Sequence, residues 1–163
     1  RAIVADPSGR FLYVANNGSG LLSATVSAYT INSANGLLIE IGGSPFSVAP
    51  GIGLLSLSAD PLGQFLYVAN GTTDKVSAFG INQTSGALVL LAGSPFTLVP
   101  PTSPQSIAVD LSGLFAYVAN GSPDNNVSVI AIDQTIGGLS AAVTGSPFAA
   151  GINPSAITTV GRF

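Results

Sequence analysis

The chain repeats itself. Asp6-Pro-Ser-Gly-Arg-Phe-Leu-Tyr-Val-Ala-Asn16 recurs as Asp60-Pro-Leu-Gly-Gln-Phe-Leu-Tyr-Val-Ala-Asn70 and again as Asp110-Leu-Ser-Gly-Leu-Phe-Ala-Tyr-Val-Ala-Asn120, at steps of 54 and 50 residues. Further landmarks keep the same order in every unit. Val26-Ser-Ala-Tyr29 is matched by Val76-Ser-Ala-Phe79 and Val127-Ser-Val-Ile130, and each unit closes on Gly-Ser-Pro-Phe, ending at Phe46, Phe96 and Phe148. Such a period means stacked copies of one supersecondary unit, because a single unit cannot bury its own apolar faces.

Each unit reads as four short strands. The first is Ala2–Ala5, Leu57–Ala59 or Ile107–Val109. It ends at Asp-x-x-Gly, the chemistry of a type I turn with Asp first and Gly fourth. The second is Phe11–Ala15, Phe65–Ala69 or Phe115–Ala119, with Phe, Tyr and Ala on one face and Leu (or Ala) and Val on the other. A strand apolar on both faces must be covered on both. Asn-Gly (Asn17-Gly18, Asn70-Gly71, Asn120-Gly121) marks the next turn, as in two-residue hairpins. The third strand carries Val-Ser-Ala-aromatic, and a turn at Gly36, Gly86 or Gly138 leads into a fourth such as Leu37–Ile41 or Ala87–Leu91. Four antiparallel strands per unit, with each sheet sandwiched between neighbours, predict an all-β fold: a β-propeller of four-stranded antiparallel blades. The expected blades are residues 1–50, 51–102 and 103–152, followed by one extra C-terminal strand within 153–163.

Composition narrows the chemistry. Of 163 residues, 47% are hydrophobic and 7% charged, against about 25% charged in an ordinary soluble domain. The charge-free stretches Phe11–Ile39 and Val76–Val109 are long enough to cross a bilayer. Gly, Pro, Ser, Thr and Asn interrupt both, so neither holds the roughly 18 consecutive apolar residues of a membrane-spanning helix. With no His and no Cys, a Ser-His-Asp triad, a Cys nucleophile, a zinc site of the usual ligands and a disulfide framework are excluded. A net charge of −3 with four cations opposes binding to nucleic acid or anionic membrane. Few charges beside abundant Ser, Thr, Asn and Gly fit a secreted or cell-surface protein. No cofactor is expected.

Phe-Leu-Tyr-Val-Ala-Asn after Asp-Pro-Ser-Gly, followed by Val-Ser-Ala-Tyr and Gly-Ser-Pro-Phe, resembles the YVTN-type β-propeller repeat. That repeat is found in microbial surface-layer and extracellular proteins, and is related to the lactonase family of propellers similar to 6-phosphogluconolactonases. The resemblance covers essentially the whole chain and implies a seven-bladed ring. It further implies catalysis by His, Glu and Arg near the central channel, and no catalytic residue of this chain can be matched to that pattern. Glu40 falls in an expected outer strand, and Arg1, Arg10 and Arg162 lie at a terminus or in a turn.

Three blades do not close a ring, since propellers have about four to eight. The segment Ala156-Ile-Thr-Thr-Val160 matches Ser106–Asp110 in position, but Val160 replaces the turn Asp. The reading is about three and a quarter blades from the C-terminal portion of a longer propeller, with further blades as partners. The alternative partner is another copy of the chain, in a homo-oligomer or filament joined through edges of low charge.

Repeated Asp6, Asp60 and Asp110 suggest a carboxylate ring, yet recurrence at one turn position is what side-chain capping of each turn predicts. Asp74, Lys75 and Asp124 lie in loops between second and third strands and are the candidates for ligand binding; solvated loop charge is the plainer reading. Five Asn-x-Ser/Thr sequons, at Asn17, Asn70, Asn82, Asn120 and Asn126, are candidate glycosylation sites. No catalytic or metal-binding residue is assigned. The expected function is a non-enzymatic, extracytoplasmic structural or protein-interaction module. The alternative is the scaffold part of a lactonase-like hydrolase whose catalytic residues lie outside this chain, and a third class is a small-ligand binder at the central channel.

Overall fold

Three antiparallel sheets follow one another in a computed structural model that describes residues 2–18, 23–48, 53–99 and 102–160. The first blade contains β1 (Ala2–Ala5), β2 (Phe11–Asn16), β3 (Thr25–Ile31), β4 (Leu38–Glu40) and β5 (Phe46–Ser47). The second contains β6 (Leu54–Ala59), β7 (Phe65–Asn70), β8 (Lys75–Ile81), β9 (Leu88–Leu90) and β10 (Phe96–Thr97). The third contains β11 (Pro104–Val109), β12 (Phe115–Asn120), β13 (Asn126–Ile132), β14 (Leu139–Ala142) and β15 (Phe148–Ala149). Among the described residues no helix is long and apolar enough to cross a membrane.

The fourth, outermost strand of each blade is split. In the first blade β4 pairs with Tyr29–Ile31 and β5 with Thr25–Val26, both on β3. Gly-Ser-Pro-Phe, expected as a closing motif, is the corner between these halves. Its Ser supplies the acceptor that the broken strand cannot. Ala28 N–H donates to Ser44 Oγ at 3.1 Å, Ala78 N–H to Ser94 Oγ at 2.9 Å and Val129 N–H to Ser146 Oγ at 2.9 Å.

Alternation along the second strand decides how blades stack. Phe11, Tyr13 and Ala15 share a cluster with Leu66 and Val68 of the next blade; Tyr67 and Ala69 share one with Ala116 and Val118 of the third. Each blade thus presents Phe-x-Tyr-x-Ala to its successor and Leu/Ala-x-Val to its predecessor. Two hydrogen bonds fix the angle of approach: Tyr13 Oη donates to Gly86 O and Tyr67 Oη to Gly137 O, each at 3.0 Å. The receiving glycines have φ near +70° and lie under a ring of the preceding blade: Phe11 covers Gly86 and Phe65 covers Gly137.

Two expectations shift. The third hairpin turns on Gly137 (φ +69), not Gly138. Its N–H donates to Asp133 O as Gly36 N–H does to Asn32 O and Gly86 N–H to Asn82 O, so the turn keeps the same length in all three blades. The extra residue of this blade lies on β14, between Leu139 and Ala142. The Asn-Gly pairs of the second and third blades are not left-handed hairpin turns; the positive φ belongs to Asp74 and Asn125 further on. Gly71 and Gly121 are needed for close approach instead. A Cβ at Gly71 would overlap Leu55, and one at Gly121 would stand 2.8 Å from Gln105 Cγ.

The inner strands of the second and third blades meet through serines rather than a backbone ladder. Ile107 N–H donates to Ser56 Oγ at 3.2 Å and Val109 N–H to Ser58 Oγ at 3.0 Å. Residues 154–160 repeat the placement one blade on, with Ile157 N–H donating to Ser106 Oγ at 3.2 Å and Thr159 Oγ1 to Val109 O at 2.7 Å. The expected extra strand therefore holds an inner lane beside β11, although its described residues, 154–160, form no strand. Residues 161–163 of that expectation lie outside the described residues.

Candidate ligand-binding face

Pairing of Leu54 with Asn70 and of Pro104 with Asn120 sets the start of each inner strand beside the end of the second. One face of the blades therefore collects Asn16, Asn70 and Asn120 together with the loops that follow them. The repeated Asn reaches across to the third strand. Asn16 Nδ2 donates to Ser27 Oγ at 2.8 Å and Thr25 Oγ1 at 3.1 Å; Asn70 Nδ2 donates to Ser77 Oγ at 2.9 Å. Asn120 Nδ2 donates to Ser128 Oγ at 2.8 Å and Asn126 Oδ1 at 2.7 Å. An Asn–Ser pair thus closes the same end of every blade.

Asn70 and Asn120 are buried, and their Oδ1 atoms meet no protein donor; the same holds for the Oγ1 atoms of Thr73 and Thr102. Buried acceptors of this kind are normally satisfied by water or by a ligand hydroxyl. This face thus offers neutral hydrogen-bonding groups. The Asn–Ser pairing was not anticipated from the sequence. Its signal was there in Asn at the end of Val-Ala-Asn and Ser in the following Val-Ser, which pair whatever the length of the loop between them.

The loop candidates belong to the same face but are tied into the backbone. Asp124 Oδ2 accepts Ser103 N–H at 3.0 Å, which pins the connection into the third blade. Asp74 adopts φ 53° and its carbonyl accepts Leu98 N–H at 2.9 Å. Lys75 opens β8, opposite Asn70 and Thr97. Four residues of the first blade's long loop, 19–22, lie outside the described residues, as do Arg1 and Arg162.

The repeated carboxylates are turn caps at the opposite ends of the second strands. Asp6 Oδ1 accepts Phe11 N–H at 2.7 Å, Asp60 Oδ1 accepts Phe65 N–H at 2.6 Å and Asp110 Oδ1 accepts Phe115 N–H at 3.1 Å. Burial opposes ionisation of Asp6, but the Ser8 hydroxyl and the N–H groups of Phe11, Ser8 and Arg10 outweigh it and hold its carboxyl below the usual range. Arg10 donates to Ser8 Oγ and covers the Phe11 ring, and Glu40 accepts the Ser44 hydroxyl at 2.9 Å. Both residues brace local structure. Of the sequon asparagines, Asn82 is exposed, Asn17 and Asn126 are half-buried, and Asn70 and Asn120 are buried with Nδ2 engaged.

An apolar cleft of about 490 Å³ opens at the rim between the second and third blades, lined by Phe96, Leu98, Val99, Ile130 and Leu139 among others. At the preceding junction Phe79 stands where Ile130 stands here and is fully buried.

A family model described as a lactonase of the seven-bladed β-propeller type matches residues 1–100 and 56–151. No curated protein matches. Solved structures show the same fold. A Bacteroides fragilis protein provisionally assigned as a 6-phosphogluconolactonase superposes with a TM-score of 0.74 at 22% identity, over 94% of this chain and 40% of its own. A periplasmic gluconolactonase of Pseudomonas aeruginosa gives 0.74 at 24% identity, over 93% and 40%. A calcium-binding regucalcin of Agrobacterium tumefaciens gives 0.60 at 14% identity, over 98% and 48%. The chain therefore spans less than half the length of these structures.

Proposed function

The chain belongs to the lactonase family of seven-bladed β-propellers, and from that premise we propose that it is the scaffold part of a lactone-hydrolysing propeller. In this reading the chain supplies blades and part of the binding face, while the groups that carry hydrolysis belong to blades outside these 163 residues. The family match and the two gluconolactonase-type neighbours support this reading over the non-enzymatic module expected from the sequence.

One observation carries the division of labour. Lactone opening needs an acid or base and groups to stabilise an oxyanion, whereas Asp6, Asp60 and Asp110 are all committed to turns and the sequence has no His. The Asn–Ser ends with their unsatisfied amide oxygens suit the hydroxyl groups of a polyhydroxylated lactone. Export from the cytoplasm is part of the proposal and rests on the sparse charge. The test is titration of acid released from δ-gluconolactone. The chain alone should match the buffer rate; turnover above it that falls on Asp124→Asn or Asp74→Asn would refute the scaffold reading.

A further inference from the structure

The two junctions between blades differ at the rim, and the difference lies in two side chains. Val76-Ser-Ala-Phe79 and Val127-Ser-Val-Ile130 occupy matching places on β8 and β13. At the first junction Phe79 is buried against the preceding blade, in one cluster with Val48. Leu90 stands opposite it on the neighbouring strand. At the second junction Ile130 replaces the ring, and Ala142 stands opposite. Both side chains that would close the space are thus cut short. The deeper wall is kept, since Leu98 and Leu139 are buried as Val48 and Leu88 are. What remains is the cleft of about 490 Å³ lined by Phe96, Leu98, Ile130 and Leu139. Both of its walls are blades that this chain itself carries, so it is not an edge where another blade of a ring would sit.

The apolar wall carries one polar point. Ser128 lines the cleft and is buried, and its Oγ accepts Asn120 Nδ2 at 2.8 Å, which leaves the hydroxyl proton to be donated. Among the described residues no charged side chain lines the cleft. Apolar walls with a placed hydrogen-bonding group, in a volume within the roughly 300–1,000 Å³ of ligand pockets, are the makings of a small-molecule site. The first junction shows what shape fits between two such sheets, because there a flat ring takes the place. We propose that the rim cleft binds a neutral aromatic molecule, its ring standing against Phe96 where the third blade lacks a phenylalanine, and its oxygen accepting the Ser128 hydroxyl. Offset or edge-on contact with Phe96 favours an aromatic ring over a saturated one. The proposal goes beyond the hydrolase reading and does not depend on it.

Titration of the methyl-labelled chain with p-cresol, followed by NMR, tests it. The methyl signals of Leu98, Ile130 and Leu139 should shift together to saturation and show Overhauser contacts to the ring. Ile3, exposed on the outer face of the first blade, should stay unmoved. Ile130→Phe and Ala142→Leu fill the cleft from its two strands, and each should abolish the shifts of Leu98 and Leu139. Ser128→Ala should weaken p-cresol about two- to tenfold, the worth of one hydrogen bond, and leave toluene, which lacks the hydroxyl, unchanged. 4-Methylcyclohexanol, the saturated counterpart, should bind more weakly than p-cresol. Dispersed methyl signals show that each variant is folded. Shifts that never saturate, equal shifts at Ile3, or undiminished binding in either folded cleft-filling variant would overturn the proposal. An equal loss for toluene in Ser128→Ala would overturn the role of that hydroxyl, and a saturated ring that binds as tightly would overturn the aromatic assignment.

Discussion

Gly36 and Gly86 occupy the same hairpin position with almost the same backbone, φ +73 and +74, but only one is covered by a neighbouring blade. Replacing each with alanine therefore separates two reasons for glycine. In both, a side chain in the left-handed region costs about 1–2 kcal/mol. At Gly36 the new Cβ meets nothing within 4 Å, so that is the whole cost. At Gly86 it would stand 2.5 Å from Phe11 Cδ1 and 2.7 Å from Ile41 Cδ1. Both side chains are buried, at 3% and 6% exposure, and have little room to yield. Overpacking of this kind costs about 1–3 kcal/mol more, which brings Gly86→Ala to roughly 2–5 kcal/mol in total. Urea unfolding gives both values from the midpoints, provided the slopes agree. Gly36→Ala should shift the midpoint modestly, and Gly86→Ala should cost about 1–3 kcal/mol more. Equal shifts would refute the argument: the glycine would then serve its own turn, and the ring of the preceding blade would not press on it.

Further outcomes follow from the same geometry. The Asp6 carboxyl is depressed in the folded chain, so its stabilisation is present above about pH 4, the ordinary aspartate value, and is lost as pH falls through the lower folded value. Asp6→Asn should flatten the acid limb of a stability profile measured by urea midpoint. Burial, and then the charges of Asp6 and Asp60 respectively, push the phenols of Tyr13 and Tyr67 upward. Their contribution is complete below about pH 10 and is lost as pH rises beyond it; phenolate absorbance from these two should appear only as the chain unfolds. Ile130→Phe restores at the second junction the residue found at the first and partly fills the 490 Å³ cleft. It should stabilise by up to about 1 kcal/mol, the scale of burying one further methylene, and lower the fluorescence of an added apolar dye; destabilisation would show that the cleft is too rigid to accept a ring.

The propeller was legible because its signals are periodic and local. Phe-x-Tyr-x-Ala and Leu-x-Val on opposite sides of one strand require neighbours on both sides, and both clusters confirm the pattern. Asp-x-x-Gly likewise reports a turn closed within its own few residues. What escaped depended on distant partners. Ser44, Ser94 and Ser146 stand in for a broken ladder, which nothing adjacent to Gly-Ser-Pro-Phe announces. Gly71 and Gly121 look like hairpin glycines until Leu55 and Gln105 are seen against them. Gly137 and Gly138 are adjacent, and what separates them is the spacing from the residue that opens the turn: Gly137 stands four residues after Asp133, as Gly36 does after Asn32 and Gly86 after Asn82. On the binding face the charged loop residues drew attention, whereas the recurring chemistry lies in uncharged Asn and Ser that read as turn and strand residues.

The serines between the inner strands of the second and third blades have a mechanical consequence. A hydroxyl reaching one N–H pins neighbouring strands at a point, where a backbone ladder would lock them along their whole length. The second and third blades are thus pinned at two points along their inner strands, and the Tyr67–Gly137 hydrogen bond holds their approach further out. At the rim Phe79 fills the first junction, whereas Ile130 at the second leaves a cleft of about 490 Å³, so the two junctions differ at side chains far from the binding face.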